Sequence, residues 1–157
     1  RESVQFLLHR GRHLASLHAA GVALQYILYS ADDAQRLAGW CARGWVAEPA
    51  PNVLFVLGRY TAGQRSDPRD VLPFLTAAAP AWTWSVCAFG PTEAQCMAGA
   101  VGLGGHVRVG FENNLWHRDG STVHDNAELV ANAAVLARAA GRPVADARQA
   151  RQLFNVR

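Results

Sequence analysis

The sequence predicts an α/β fold with a parallel sheet, and three observations support that prediction. Four apolar, strand-like segments are each followed by a helix-like segment, at intervals of roughly 25 to 30 residues, as in parallel βαβ units. These segments are apolar on nearly both faces, which is typical of strands covered by helices. The chain has 157 residues, of which 50% are hydrophobic and 17% charged, so it can bury the core of one ordinary domain.

The first two predicted helices surround the first predicted strand. Residues 3–20 have helical apolar spacing, and Gly21 is suited to end that helix. An apolar strand is predicted at residues 22–29, interrupted only by Gln25. A second helix is predicted at residues 32–43. These three elements therefore make one helix–strand–helix unit.

The second and third strands are the most apolar segments of the chain. Residues 52–57 follow a proline-containing turn, and residues 82–88 form the third predicted strand. Between them, Asp67 followed by Pro68 predicts the start of a helix that runs to about residue 79. The aromatic side chains of the third strand are expected to pack in the core.

The last predicted strand is introduced by two glycines at 104 and 105. Thr92 is the predicted N-cap of the helix before it. Helices are predicted after it at residues 125–140 and 146–153. The chain thus contains four predicted βα units.

Two architectures fit four βα units: an open doubly wound sheet, or four units of the eight in a (β/α)₈ barrel. No G-x-G-x-x-G sequence follows the first strand, which disfavours a dinucleotide-binding open sheet. A polar strand favours the barrel, whose active residues stand at the strand ends. Because a barrel needs about 250 residues, residues 1–157 are predicted to be the C-terminal half of a single TIM-barrel domain.

The fourth strand carries charges, and this makes it the candidate site. If residues 107–111 are extended, His106, Arg108, Gly110 and Glu112 share one face. Arg108 and Glu112 would then lie roughly 13 Å apart, so that each would need a separate partner. Gly110 leaves room for a ligand between them. Glu112 and Asn113 end the strand, where parallel α/β folds place their chemistry.

Composition excludes several functions. The net charge is +3, but the arginines are scattered, so neither a nucleic-acid surface nor a membrane surface is predicted. All fifteen basic residues are arginine, so no lysine of this chain can form a Schiff base with a carbonyl substrate. Three cysteines without metal-type spacing and the absence of a long apolar run lead us to expect a cytoplasmic protein. The chain begins at Arg1 within helix-like sequence, and we expect it to be a piece of a longer protein.

The remaining polar features are interpreted as structural. His9 and His13 could bind a metal, but arginines lie between them and favour a solvated helix edge. His117 is expected to be exposed to solvent in a loop, and His106 to be structural. The polar loop at residues 59–66 suits either a phosphate or an ordinary helix cap.

Several segments together resemble the β-keto acid cleavage enzymes, over about residues 20–155. They are Gly-Gly-His-Val-Arg-Val-Gly-Phe-Glu-Asn-Asn at 104–114, Asp-Asn-Ala-Glu-Leu-Val at 125–130, Val-Leu-Gly at 56–58 and Trp-Ser-Val at 84–86. The resemblance implies a zinc-dependent (β/α)₈ barrel that converts a β-keto acid and acetyl-CoA into acetoacetate and a new acyl-CoA. It also implies a small-molecule enzyme that forms a homo-oligomer when full length.

The resemblance implies a role for each polar residue of the fourth strand. Glu112 corresponds to the family's zinc-binding glutamate, and the His-x-His motif that completes the metal site is absent from this chain. Arg108 corresponds to the arginine that positions the substrate, and a guanidinium suits the carboxylate of a β-keto acid. Asn113 occupies the place of a catalytic aspartate. Gln25 similarly replaces a second, substrate-binding acid.

An amide cannot accept a proton, so Asn113 is excluded as a general base. Three hypotheses follow: an acyltransferase that cleaves a C–C bond, an altered relative that binds metal and ligand without the usual base, and a structural half-barrel in which Arg108 and Glu112 pair with each other within the core. A His-x-His sequence upstream of this chain would support the first two hypotheses.

Overall fold

The computed structural model describes residues 4–46, 48 and 50–156, with side chains from residue 11 onward. The predicted His9–His13 pair and the predicted helix start at Ser3 therefore lie partly or wholly outside the described residues. Within this part of the chain no helix is both long and apolar enough to cross a membrane. The elements, in order, are α1 (Val4–Ala19), β1 (Gln25–Leu28), α2 (Ala31–Ala42), β2 (Asn52–Leu57), a 3₁₀ turn (Pro68–Asp70), α3 (Val71–Ala77), β3 (Thr83–Ala88), α4 (Glu93–Gly102), β4 (His106–Val107), α5 (Asn126–Ala139) and α6 (Ala147–Leu153).

The four strands form one parallel sheet in the order β1-β2-β3-β4, so that neighbours in sequence are neighbours in space. Gln25, Asn52 and Thr83 lie side by side at the amino edge of the sheet. Leu57 and Ala88 pair at the carboxyl edge. The α/β class and the parallel sheet are confirmed, and consecutive strand order is compatible with half of a (β/α)₈ barrel.

One face of the sheet packs against the helices and forms the main core. Phe55 lies at its centre, with its ring 4.8 Å from that of Phe74 in α3 and 5.8 Å from that of Trp84 in β3. Trp82, Cys96 and Met97 are also buried in this layer. The expectation that the tryptophans of the third strand pack in the core is therefore confirmed. Burying such aromatic side chains is a main source of domain stability.

The opposite face of the sheet carries a smaller buried cluster, which comprises Leu54, Val56, Cys87 and Phe89. Burial raises the pKa of Cys87 to about 11, and nearby Arg108 offsets this in part. Since Val86 pairs with Val107, the next residue, Arg108, follows the same register beside Cys87. Arg108 therefore lies on the face directed away from the helices, which would be the interior of a closed barrel.

Two predicted helix starts have different outcomes. Asp67 is confirmed as a cap, because its carboxylate accepts from Arg69 N–H at 2.8 Å, although the first turn is a 3₁₀ turn. Thr92 occupies the N-cap position of α4, as predicted, but its side chain makes no capping hydrogen bond. Its hydroxyl instead donates to the carbonyl of Ser66 at 2.6 Å, and this bond ties the loop after β2 to the start of α4.

The fourth strand is shorter than predicted. β4 pairs with β3 only at His106 and Val107, with one further bond from Arg108 N–H to Val86 O at 2.9 Å. The chain then bends at Gly110, whose φ of 154° is readily adopted by glycine, and Asn113 N–H closes a turn onto Gly110 O at 2.9 Å. The prediction that residues 107–111 are extended is wrong from Gly110 onward, because a turn begins there.

Candidate functional site

The segment 108–114 lies at the carboxyl edge of the sheet, beyond the end of β4. Phe89 N–H donates to Leu57 O at 2.9 Å, and Gly90 N–H donates to Asn113 O at 3.1 Å. Consequently the segment sits against the ends of β2 and β3. This is the edge at which parallel α/β folds carry their functional residues.

Arg108 joins the polar side chains of this segment. Its Nη2 donates to Glu112 Oε2 at 2.8 Å and to Asn113 Oδ1 at 3.1 Å. The predicted separation of about 13 Å between Arg108 and Glu112 is wrong, because the turn at Gly110 folds the chain back. Three of the four predicted site residues are thus brought into contact.

The Arg108–Glu112 pair is open to solvent, with side-chain exposures of 40% and 71%. Exposed ion pairs contribute only about 0–1 kcal/mol to stability. Both charged groups are therefore reachable by a ligand and neither is needed to hold the fold. The arrangement combines a guanidinium that can bind a carboxylate with a carboxylate that can bind a cation.

Asn113 is held more rigidly than its charged neighbours. It is buried, its Nδ2 donates to Arg108 O at 3.4 Å, and its backbone carbonyl accepts from Gly90. The amide is therefore oriented by three contacts, including the one from Arg108 Nη2. Such an amide can donate or accept a hydrogen bond to a ligand, but it cannot take a proton.

The turn is also attached to α5. Phe111 N–H donates to Asn126 Oδ1 at 2.9 Å, and Asn126 is the first residue of that helix. The preceding residue, Asp125, caps α5 by accepting from Glu128 N–H at 3.0 Å. The capped start of α5 thus supplies a side chain that holds the turn.

Gln25, the fourth predicted site residue, lies elsewhere. It opens β1 at the amino edge of the sheet, and its Nε2 donates to Asn52 Oδ1 at 3.4 Å. Arg108 and Glu112 lie beyond the carboxyl edge. The structure does not bring Gln25 together with the other three residues, and its substrate-binding role stays a prediction that this geometry does not support.

Glu93 is a residue at this edge that sequence reasoning missed. It is 2% exposed, and its Oε2 accepts from Asn114 Nδ2 at 2.9 Å. Burial raises the pKa of Glu93 above its ordinary value, while the hydrogen bond from Asn114 partly lowers it. A glutamate in a first helical turn is so common that its sequence position indicated nothing more than a favourable helix dipole.

Two histidines have different outcomes. His106 is half-buried and packs edge-on against Phe154 at 5.5 Å, and burial, with Arg142 nearby, lowers its pKa, as expected of a structural residue. His117 was expected to be exposed, which is wrong. Its Nε2 lies 3.1 Å from Glu128 Oε2, and Asn132 Nδ2 lies 3.2 Å from its Nδ1.

The carboxyl edge also contains a cavity of about 420 Å³. Its walls include Arg65 from the loop after β2, Gly90 and Asn113. A Cβ atom at Gly90 would come within 2.4 Å of Gln64 O, so glycine permits this close approach of the two loops. The cavity is the space beside Asn113 in which part of a ligand could bind.

A metal ion at this edge could take one ligand from this chain. Glu112 offers an exposed carboxylate, which is a suitable zinc ligand. Within residues 11–46, 48 and 50–156, no three His, Cys, Asp or Glu side chains are grouped closely enough to hold a metal. Glu112 therefore fits as one ligand, and the other ligands would come from outside the described residues.

Comparisons with known proteins identify the family of this chain. The chain matches the family model described as beta-keto acid cleavage enzyme over residues 9–156. It is 34% identical over 116 residues to a 3-keto-5-aminohexanoate cleavage enzyme of Fusobacterium nucleatum, covering 73% of this chain and 41% of that protein. The corresponding enzyme of Acetoanaerobium sticklandii is 38% identical over 103 residues, covering 65% and 37%.

A 3-oxoadipate:acetyl-CoA acetyltransferase of Cupriavidus necator is 36% identical over 92 residues, which cover 56% of this chain and 32% of that protein. The chain thus spans about two-fifths or less of the length of these relatives. The family match extends over nearly all of the chain, including the fourth strand and its turn. On this evidence, the chain belongs to the β-keto acid cleavage enzyme family.

Proposed function

We propose that this chain is part of an enzyme that cleaves a β-keto acid with acetyl-CoA, giving acetoacetate and a new acyl-CoA. The observation that carries the proposal is the contact of Arg108 with both Glu112 and Asn113 at the carboxyl edge of the sheet, in a chain that matches the family over residues 9–156. The names of the relatives, which include two cleavage enzymes and an acetyl-CoA acetyltransferase, support it.

Arg108 binds the carboxylate of the β-keto acid in this proposal. Its guanidinium is planar, permanently charged and 40% exposed, which suits a substrate carboxylate arriving from the open face of the sheet. The bond to Glu112 keeps the guanidinium at the strand end before substrate arrives. Binding energy at this remote carboxylate can then orient the reacting end of the substrate.

Glu112 provides one ligand to zinc in this proposal. When bound, the zinc ion would supply Lewis-acid polarisation of the substrate's keto group. Glu112 itself is directed by its bond to Arg108, so the metal ligand and the carboxylate-binding residue are held in a fixed relation. Its 71% exposure leaves carboxylate oxygen available for coordination.

Asn113 orients a substrate oxygen by hydrogen bonding. Because an amide cannot remove a proton, Asn113 itself is not the general base in this proposal. The bonds from Asn113 to Arg108 and the backbone bond to Gly90 hold the amide in one orientation. A positioned amide contributes to a transition state mainly through such preorganised hydrogen bonds.

We also propose that this chain is the C-terminal half of a (β/α)₈ barrel. The parallel sheet in consecutive order, the position of Arg108 on the face away from the helices, and coverage of about two-fifths of the relatives' length support it. Expressed alone, residues 1–157 should self-associate, because parallel edge strands would be uncovered. A monomeric product that melts cooperatively would contradict the half-barrel.

A structural role for the Arg108–Glu112 pair is the second candidate, since the pairing itself is observed at 2.8 Å. Exposed pairs of this kind contribute about 0–1 kcal/mol, so a purely structural role would give little reason to retain both charges. The two proposals differ in which quantity changes when the pair is removed: catalytic rate, or the free energy of unfolding.

The proposed function is tested by acetyl-CoA-dependent release of acetoacetate from a panel of β-keto acids by the full-length protein. Asn113→Ala should lower kcat/KM by about ten- to a hundred-and-fifty-fold, the value of one hydrogen bond to a charged group, roughly 1.5–3 kcal/mol. Asn132→Ala, an exposed amide on α5, is the matched control and should leave kcat/KM unchanged. Wild-type protein that releases no acetoacetate with zinc bound would contradict the proposal.

A further inference from the structure

Glu93 is an unusual side chain for its position. A glutamate in the first turn of a helix can interact with the helix dipole from an exposed position, but the Glu93 side chain is buried at 2% exposure. Its Oε1 is inaccessible and makes no hydrogen bond with any described residue. Burying a carboxyl group in this way costs stability, so a compensating role is expected.

The second oxygen of Glu93 is bound to the site through Asn114. Asn114 Nδ2 donates to Glu93 Oε2 at 2.9 Å and to Trp116 O at 2.8 Å, while Asn114 Oδ1 accepts from Trp116 N–H at 3.0 Å. The Asn114 side chain is itself 3% exposed. Its donors and its acceptor oxygen are all engaged, so its orientation is defined on every side.

A second contact lies three residues before Glu93. Gly90 N–H donates to Asn113 O at 3.1 Å, so the β3–α4 connection holds two consecutive residues of the turn, Asn113 by its backbone and Asn114 by its side chain. Glu112 directly precedes them. These two hydrogen bonds therefore fix the position of the segment that contains Glu112 and Asn113, which are proposed to bind metal and substrate.

We propose that Glu93 is a positioning residue for Glu112 and Asn113, acting through the side chain of Asn114. The activity part of this inference rests on the proposed function. Glu93 does not touch substrate in this account, because both of its oxygens are directed into protein. Its effect is geometric, and displacement of reacting groups by about 1 Å can lower a rate by about a hundredfold.

A matched control is available on the same helix. Met97 is 1% exposed, lies one turn after Glu93, and lines the same cavity of about 550 Å³ between α4, α5 and the segment after Asn114. Met97→Ala removes buried volume from α4 and leaves the hydrogen bonds to the turn in place. This control therefore distinguishes an effect of lower stability from an effect of displacing Glu112 and Asn113.

The experiment compares Glu93→Ala, Glu93→Gln and Met97→Ala in the full-length protein. Glu93→Ala should lower kcat, and kcat/KM with it, by about tenfold to a hundredfold. Glu93→Gln retains an oxygen that can accept from Asn114 and should stay within about threefold of wild type. Met97→Ala should lower Tm at least as much as Glu93→Ala while its kcat/KM stays within about threefold of wild type.

Amide hydrogen exchange at Trp116 gives a readout that needs no activity. Glu93→Ala should speed exchange of the Trp116 N–H, which donates to Asn114 Oδ1, whereas Glu93→Gln and Met97→Ala should not. If Glu93→Ala fails to fold, Asn114→Ala removes the same contact from the other side and should give the same exchange and kinetic changes.

Wild-type kcat/KM and wild-type Trp116 exchange in Glu93→Ala would overturn the inference. Equal kinetic losses in Glu93→Ala and Met97→Ala would also overturn it, because the effect would then follow stability alone. A wild type without acetoacetate release would contradict the proposed function, while Trp116 exchange would still decide whether Glu93 holds the turn.

Discussion

Two glutamates at one edge of the sheet differ in almost every physical respect. Glu112 is 71% exposed and bound to a cation, Arg108, whereas Glu93 is 2% exposed and bound to a neutral amide, Asn114. The first contributes little to stability and is open to ligands. The buried Glu93 carboxyl is closed to ligands and accepts a hydrogen bond from Asn114 of the turn. Within one site, exposure therefore distinguishes a group that can bind from a group that can only position.

The partners of the two carboxylates explain how one turn serves both. Arg108 and Asn114 flank Glu112 and Asn113 in sequence. Arg108 faces the open side of the sheet beside Cys87, while Asn114 is directed into the layer of α4. Because the chain turns at Gly110, the side chains of Arg108 and Asn114 are directed to opposite sides. The same short segment therefore provides both a binding surface and the contacts that hold it in place.

The largest expected effect comes from adding a carboxylate next to Glu112, at the position of the buried Asn113. Asn113→Asp places a potential base beside Arg108, at the position where the family resemblance implies an aspartate. A positioned general base typically raises a reaction rate by about 10²–10⁴-fold. We expect Asn113→Asp to raise the rate of acetyl-CoA-dependent cleavage by a factor approaching that range. The measurement is acetoacetate release by wild type and Asn113→Asp. An unchanged or lower rate would mean that another group already acts as the base.

The parts of the structure that were predictable from sequence are those with local causes. β2 spans the predicted 52–57 and β3 nearly the predicted 82–88, because strands buried on both faces are continuous apolar runs. α5 begins one residue after its predicted start at 125, where Asp125 caps it. In each of these elements the deciding interaction lies within the element or its cap.

The site was less predictable because distant residues determine it. Alternation predicted an extended strand through Glu112, but a turn forms that Asn126 and Gly90 hold from other elements. Glu93 was missed because its burial depends on Asn114, which is distant in sequence. The chemistry of Arg108, Glu112 and Asn113 was recognisable from sequence, whereas their mutual contacts were not.

Removing the cation from the exposed pair should affect binding far more than folding. Arg108→Gln is expected to lower kcat/KM by about ten- to a hundred-and-fifty-fold, since a charged hydrogen bond to substrate is lost. The free energy of unfolding should change by about 1 kcal/mol or less, because the pair is exposed. Urea denaturation and steady-state kinetics give the two values.

Arg36→Gln is the control for that prediction, because Arg36 also forms an exposed ion pair, with Asp33 on α2 at 3.5 Å. It should change neither quantity appreciably. If the Arg108→Gln protein keeps wild-type kinetics but has a lower free energy of unfolding, the Arg108–Glu112 pair has a structural role instead.

The smallest expected effect is a pH dependence of the free energy of unfolding that is due to the buried Glu93. Burial raises the pKa of Glu93 above its ordinary value, so the folded protein binds this proton more tightly than the unfolded chain. Stability from this group is present below the ordinary carboxyl pKa and is lost as pH rises through the raised pKa. Glu93→Gln cannot titrate, so it should gain stability relative to wild type as pH increases.

Urea denaturation at about pH 5 and about pH 8 measures that difference. Met97→Ala introduces no titrating group, and its deficit relative to wild type should be the same at both values. A Glu93→Gln protein whose difference from wild type is independent of pH would mean that burial does not alter the protonation of Glu93 on folding.

The same substitution at both glutamates, in the full-length protein, tests the central distinction most directly. Glu112→Gln replaces a carboxylate ligand by a neutral amide and should reduce zinc content and acetoacetate release together. Glu93→Gln should leave both near wild type, because Asn114 keeps its acceptor. Zinc content and acetoacetate release are measured on the same preparations. Unchanged zinc and activity in Glu112→Gln, or an equal loss of both in Glu93→Gln, would contradict the assignment of binding to the exposed carboxylate and positioning to the buried one.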